Sequence, residues 1–155
     1  MAEEPIREMS EGAERVLDIG VKLISAANTW IFRATGGRLG ARFLRGAPVL
    51  LLTTIGARSG ERRTTPLIYV EDAGRILLVA SKGGSKRNPL WYGNLAKNPD
   101  VEVQIGSELR PMRARTASPE EKEALWPKLL ATYRDYADYQ ARTRRDIPVV
   151  ILEAR

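Results

Sequence analysis

The chain contains neither cysteine nor histidine. These two absences exclude disulfides, thiolate nucleophiles, Cys/His zinc sites, Ser-His-Asp triads and proximal-histidine haem together. Chemistry is left to Ser, Thr, Tyr, Lys, Arg, Asp and Glu side chains, to the backbone or to a borrowed cofactor, with no metal expected. No apolar run approaches the roughly 20 residues of a membrane span; the longest, Leu23 to Phe32 and Ala47 to Ala57, are about half that. The first nine residues carry Glu3, Glu4 and Glu8 in place of a basic leader. A cytoplasmic protein is expected, with peripheral attachment to the inner face of the plasma membrane through the N-terminal helix and residues 33–45 kept open. Aromatic residues make up only 6% and do not alternate with cations, so nucleic acid is not expected as a partner.

What is present is positive charge. Lys and Arg number 25 against 19 Asp and Glu, a net charge of +6. Between Asn28 and Val70 Glu61 stands alone as an acid, while Arg33, Arg38, Arg42, Arg45, Arg58, Arg62 and Arg63 crowd the same stretch. Such a zone selects an anionic partner, for example a phosphate ester or a polycarboxylate. With 155 residues the chain makes one domain with a real core.

Periodicity predicts an amphipathic helix over Glu11 to Phe32, with Val16, Gly20, Leu23, Ile24, Ala27 and Ile31 on one face. Strands are expected over Pro48–Ile55, Arg62–Val70 and Arg75–Ser81, close enough to form an antiparallel meander. Pro89 to Asn98 reads as a helix with Leu90, Trp91, Asn94 and Leu95 on one face, and residues 101–116 as a half-buried hairpin. Ser118-Pro119-Glu120-Glu121 opens a helix that is expected to reach Tyr139, with a bend or interruption at Pro127. Residues 147–152 form a closing strand. Strands cluster and do not alternate with helices, which makes the class α+β with a largely antiparallel sheet or barrel.

Two strand-end loops carry anion-binding chemistry. In the first, Gly56-Ala57-Arg58-Ser59-Gly60-Glu61-Arg62-Arg63-Thr64-Thr65, glycines admit backbone N–H groups, arginines supply forked donors and hydroxyls complete the shell. It is not a Walker loop, since no Gly-Lys-Ser/Thr ending follows. The second, Ala80 to Pro89, sets a Gly-Gly pair among Lys82, Lys86 and Arg87 ahead of a helix N-terminus. Tyr133, Tyr136 and Tyr139 recur every third residue; they read as core packing or as the proton donors a histidine-free enzyme has left. Trp30, Trp91 and Trp126 are expected in the core or a pocket wall.

The run Gly46 to Leu67, then Val79-Ala-Ser-Lys-Gly-Gly, Asn88-Pro-Leu-Trp-Tyr-Gly-Asn-Leu, Tyr136-Ala-Asp-Tyr-Gln-Ala-Arg-Thr and Arg145-Asp-Ile-Pro-Val-Val resembles the deazaflavin-dependent nitroreductase family. The resemblance implies a split β-barrel of the FMN-binding type, with an N-terminal helix or lid at 1–32 and a barrel at 33–155. It implies coenzyme F420 in preference to FMN, and hydride transfer to a small electron acceptor such as a quinone or a nitroaromatic compound. The alternative is a carrier that binds F420, FMN or a lipid without turnover. The carry-over gives the phosphate and acidic tail to Arg58, Ser59, Arg62 and Arg63, and the ring edge to Thr64, Thr65, Pro66 and Leu67. Ala80, Ser81, Lys82, Gly83 and Gly84 are given the ring system, with Trp91 and Asn94 as the wall. It assigns Tyr133, Tyr136 and Ser81 catalytic roles and Tyr69, Tyr133, Tyr136 and Tyr139 the substrate side, in a monomer or homodimer. The family's first loop usually reads Gly-Arg-Lys-Ser-Gly; here Ala57 and Arg58 replace its two cations, and Asn88 and Gly93 stand where histidine is common.

Overall fold

A computed structural model describes residue 6, residues 8–37 and residues 46–155. The predicted loop and short helix over 33–45, with Arg38, Arg42 and Arg45, lie largely outside these residues. Twelve elements follow in order: α1 (Glu11–Ala34), β1 (Val49–Ile55), β2 (Arg62–Ile68), β3 (Val70–Asp72), β4 (Arg75–Val79), a 3-10 turn (Lys82–Gly84), α2 (Leu90–Lys97), β5 (Asp100–Ile105), β6 (Glu108–Thr116), α3 (Pro119–Thr132), α4 (Asp135–Ala141) and β7 (Val149–Ala154).

The strands form one sheet in the order β2-β1-β5-β6-β7-β4-β3, every neighbouring pair antiparallel. The expected meander is therefore replaced by two hairpins, β1–β2 and β3–β4, at opposite edges. Laid flat, seven strands would hold those edges roughly 29 Å apart. Yet β2 ends at Ile68 and β3 begins at Val70, a gap of one residue that spans only about 7 Å. The sheet must curl until its edges meet, which gives the split barrel. The predicted strand Arg62–Val70 breaks at Tyr69 for this reason: Tyr69 turns the corner, its N–H bonded to the Pro48 carbonyl at 3.2 Å.

Alternation along each strand sorts the core into two clusters. Ile76, Leu78, Val150 and Leu152 face inward with Leu50, Leu52, Val101, Val103, Trp91 and Leu95. Leu77, Val79, Val149 and Ile151 face outward under α3 and α4, with Leu129, Tyr133, Tyr136 and Ile147. Trp91 is buried and Trp126 half-buried beside Tyr136, as expected, but Trp30 stands 72% exposed. Leu90 also points to solvent, so only Trp91, Asn94 and Leu95 of the predicted α2 face look inward.

α3 starts with a full capping box: the Ser118 hydroxyl accepts from the Glu121 N–H at 3.2 Å and the Glu121 carboxylate from the Ser118 N–H at 3.1 Å. The helix runs through Pro127 and breaks later, at Tyr133 and Arg134. Proline removes one intrahelical donor on an exposed face, which a helix held at both ends absorbs. The Arg115 guanidinium holds the Glu121 carboxyl at about 2. That stabilisation is present above the ordinary carboxylate value and is lost as pH falls toward 2. Glu121→Gln keeps the cap but not the ion pair; its melting temperature is expected to lie below the parent at pH 7 and to converge with it near pH 2.

Candidate functional site

β1 and β4 are separated by an even number of antiparallel steps, so they run in the same direction and deliver both anion-friendly loops to the same end of the barrel. α2 ties them together. It follows the second loop, yet Asn94 at its centre accepts from the Ala57 N–H at 2.9 Å and donates to the buried Thr54 hydroxyl at 3.1 Å. Lys97 donates to the Ala57 carbonyl at 2.7 Å. Asn94 thus shapes the first loop from behind, and Trp91, one turn earlier, is buried in the barrel interior.

In the first loop, Gly56 and Glu61 close the hairpin through the Gly56 N–H at 2.7 Å, and Gly60 adopts φ +72°. Ser59 turns back to accept from the Glu61 N–H, 3.2 Å away. Arg62 pairs with Glu102 and Arg63 with Glu61, at 2.9 and 2.8 Å on the surface. Arg58 is exposed and has no ion pair among the described residues. Thr53 and Thr64 share a hydroxyl bond at 2.9 Å across β1 and β2, and Arg33 of α1 donates to Thr64 at 3.0 Å. Thr65, Pro66 and Leu67 are half-buried along β2.

The second loop is left-handed over three residues in a row: Lys82 (φ +45°), Gly83 (+62°) and Gly84 (+81°). Lys82 is strained there, since it carries a Cβ. Arg145 holds the loop in place. Its guanidinium donates to the carbonyls of Ala80 (3.2 Å) and Ser81 (2.8 Å), to the Ser85 carbonyl (2.8 Å) and to the Asn88 side chain (2.8 Å). Burial lowers the Arg145 pKa from its usual value. The Arg145 segment is itself pinned by Gln140, which donates to the Arg145 carbonyl at 2.8 Å, and by Lys122, which donates to Gln140, Asp146 and the Ile147 carbonyl. Nothing local marks Arg145 as a site residue, because its partners lie 57 to 65 positions away in the chain.

α1 lies across both loops. Near its start the Glu14 carboxylate accepts from the Ser85 hydroxyl at 3.1 Å and the Lys86 N–H at 2.9 Å; that N–H chiefly lowers its pKa. Asp18 pairs with Lys82 at 2.9 Å. Near its end, roughly 28 Å further along the helix, Arg33 reaches β2. Glu14 and buried Ser85 were missed in the sequence because nothing local links residues 71 apart.

The tyrosines do not share one helix. Tyr133 caps α3 in an extended conformation, while Tyr136 and Tyr139 belong to α4. They still cluster, with ring centroids 5.1 to 6.3 Å apart and a 3.1 Å bond between the Tyr133 and Tyr139 hydroxyls. Burial raises the pKa of both Tyr133 and Tyr136. The trio packs on the outer face of the sheet next to Gly84, whereas Tyr69 packs against the barrel interior, so the four predicted substrate residues do not form one group. Ser81 is buried beside the 3-10 turn. Two open clefts of about 230 and 460 Å³ lie elsewhere, over α3 around Lys122, whose donors are already engaged. Among the described residues, no group of acids could hold a metal ion, and no helix is long and apolar enough to cross a membrane.

The sequence model of the F420H(2)-dependent quinone reductases matches residues 25–154, all seven strands and the last ten residues of α1. The chain belongs to this family. It is 41% identical over 140 residues to the F420H(2)-dependent quinone reductase Rv1261c of Mycobacterium tuberculosis (strain ATCC 25618 / H37Rv), covering 88% of this chain and 93% of that one. A solved F420-H2 dependent reductase, FDR-A, is 46% identical with a TM-score of 0.64, covering 68% of this chain and 94% of its own. A second solved relative, described as a domain-swapped dimer, is 39% identical with a TM-score of 0.66 over 82% of this chain and 99% of that one. The reductase family is one of oxidoreductases built on split barrels, as the resemblance implied, with quinone reductase as its description.

Proposed function

We propose that the chain transfers hydride from reduced F420 to a quinone at the barrel rim where the two loops meet. The observation that carries this reading is the convergence itself: two glycine-bearing, cationic strand ends at one end of the barrel, joined by Asn94 and Lys97. The donor set fits a ring-bearing polyanion. Among the described residues Arg58 offers a forked donor with no ion pair, and the Arg62 and Arg63 pairs with Glu102 and Glu61 lie on the surface, where an anionic group can displace them. Arg58, Ser59, Arg62 and Arg63 would hold the phosphate and acidic tail. Thr64, Thr65, Pro66 and Leu67 would border the ring, Ala80, Ser81, Lys82, Gly83 and Gly84 would hold its other side, and Trp91 and Asn94 would complete the wall, Asn94 through its bond to the Ala57 N–H.

The cofactor supplies the hydride; the protein positions and polarises. Tyr133 and Tyr136, their pKa values raised by burial, stay protonated across the physiological range and act as neutral hydrogen-bond donors. With the Ser81 hydroxyl they would steady charge that gathers on the acceptor. α1 serves as a lid over the barrel at 33–155, and the family includes a relative solved as a dimer, so a homodimer is the expected assembly. A lipid-soluble acceptor also suits attachment at a membrane.

The test is to mix the purified protein with reduced F420 and menadione and follow oxidised F420 by absorbance. Quinone-dependent oxidation is expected. Tyr133→Phe and Tyr136→Phe are each expected to lower turnover about tenfold with F420 affinity unchanged. Tight F420 binding with no oxidation by any acceptor would make the protein a carrier.

A further inference from the structure

α1 turns a polar side toward the barrel. Val16 and Leu23, two positions of the predicted apolar face, stand 72% and 68% exposed, so that face is not the one that packs. The inward side is marked by its partners: Asp18 pairs with Lys82, Phe32 is fully buried and Arg33 donates to Thr64. At 100° per residue, Thr29 lies about 20° around the helix from Asp18 and about 40° from Arg33. It sits about 17 Å along the axis past Asp18 and about 6 Å before Arg33. Thr29 therefore belongs to the inward side, one turn ahead of the bond that ties α1 to β2.

The Thr29 hydroxyl oxygen is sealed from water, and among the described residues it is the one buried side-chain polar atom without a hydrogen-bond partner. Other buried hydroxyls around the two loops are engaged: Thr53 with Thr64 at 2.9 Å, Thr54 with Asn94 at 3.1 Å, and Ser85 with Glu14 at 3.1 Å. Threonines elsewhere at helix positions bond the carbonyl four residues back, Thr35 to Ile31 at 2.8 Å and Thr132 to Lys128 at 3.4 Å. Thr29 does not. An unpaired buried hydroxyl destabilises a fold, and valine would fill the same space without that cost. The cost is recovered when a ligand supplies the missing partner.

The surroundings set the chemistry of that partner. The anionic parts of the cofactor have Arg58, Arg62 and Arg63, whereas an uncharged hydroxyl with one proton to give matches a carbonyl oxygen. We infer that the Thr29 hydroxyl donates to a carbonyl oxygen of the molecule held between α1 and β2, an assignment that rests on the reductase reading. That oxygen belongs to the reduced deazaflavin ring or to the quinone, which offer the same acceptor chemistry. Thr29 is then a ligand-binding residue of the lid.

The experiment compares Thr29→Val and Thr29→Ser with the parent in thermal unfolding without ligand, in fluorescence titration with F420, and in the KM for menadione at saturating reduced F420. Valine keeps the β-branched shape and a similar helix propensity but deletes the hydroxyl. Without ligand its melting temperature is expected to rise by about 2 °C, because the unpaired group is gone. With ligand, a loss of about tenfold is expected. It falls on F420 affinity where the ring supplies the carbonyl, and on the menadione KM alone where the acceptor does. Thr29→Ser retains the donor and is expected to stay close to the parent in both. A melting temperature lowered by valine would give the hydroxyl a partner inside the fold and overturn the assignment. So would parent values of both affinity and KM in Thr29→Val, or an equal loss in Thr29→Ser. A parent chain that neither binds F420 nor passes hydride to menadione would sink the reductase reading, and the Thr29 assignment with it. A working parent matched by Thr29→Val removes Thr29 alone.

Discussion

Arg145→Met is expected to lower affinity for F420 at least about a hundredfold while destabilising the fold by about 3 kcal/mol. One guanidinium serves three backbone carbonyls and the Asn88 side chain, and so fixes both limbs of the loop from Ala80 to Asn88. Methionine fills similar volume but donates nothing, leaving carbonyls in a partly buried place without partners. The strained turn at Lys82 to Gly84 then loses its brace on the Arg145 side and keeps only its contacts with α1 and α4, so its N–H groups are less well preset for an anion. Fluorescence titration with F420 reads the affinity, and thermal unfolding reads the stability. Hydrogen exchange separates the two causes, since amides of residues 81–86 should lose protection while those of β5 and β6 keep it. Arg145→Lys should recover part of both effects, because three donors on a flexible stem cannot reproduce a planar fork. An Arg145→Met protein that binds F420 as tightly as the parent would remove Arg145 from the positioning of the loop.

Gly84→Ala is the second large effect. A Cβ there would sit 2.7 Å from the Tyr139 carbonyl oxygen and 3.1 Å from the Tyr139 Cα, both backbone atoms of α4 that cannot swing aside. Its φ of +81° adds the cost of a left-handed conformation for a residue with a side chain. Together these are expected to cost about 3 kcal/mol and to push α4 off the loop. The displacement should appear as rising near-ultraviolet signal change from Tyr136 and Tyr139 and as falling quinone turnover. Gly60→Ala is the control: it shares the positive φ but meets nothing within 4 Å, so strain alone should make it much milder.

The family motifs were legible because they are local. A glycine at the end of a strand, a capping box and a hairpin turn are each set by a few consecutive residues, and the loops, α2, α3 and the 101–116 hairpin form where the pattern placed them. The tyrosines show where locality ends. Their spacing suggested one helix, but the helix breaks at Tyr133 and the rings meet by tertiary packing. The direction of α1's apolar face was equally beyond reach. Amphipathicity states that a helix has two sides, and only the partners of Glu14, Asp18 and Arg33 decide which one faces inward.

By itself the amino-acid order determined the chemistry on offer: no imidazole or thiol, an arginine-rich zone, glycines at two strand ends, and strands grouped apart from helices. Only the tertiary structure decided that the two cationic loops share one end of the barrel, that Arg145 braces one of them, and that α1 straps both. The reason is reach. Composition and spacing act over a few residues, whereas the single residue between β2 and β3 forces a seven-stranded sheet to close, and closure brings together groups 60 or more positions apart.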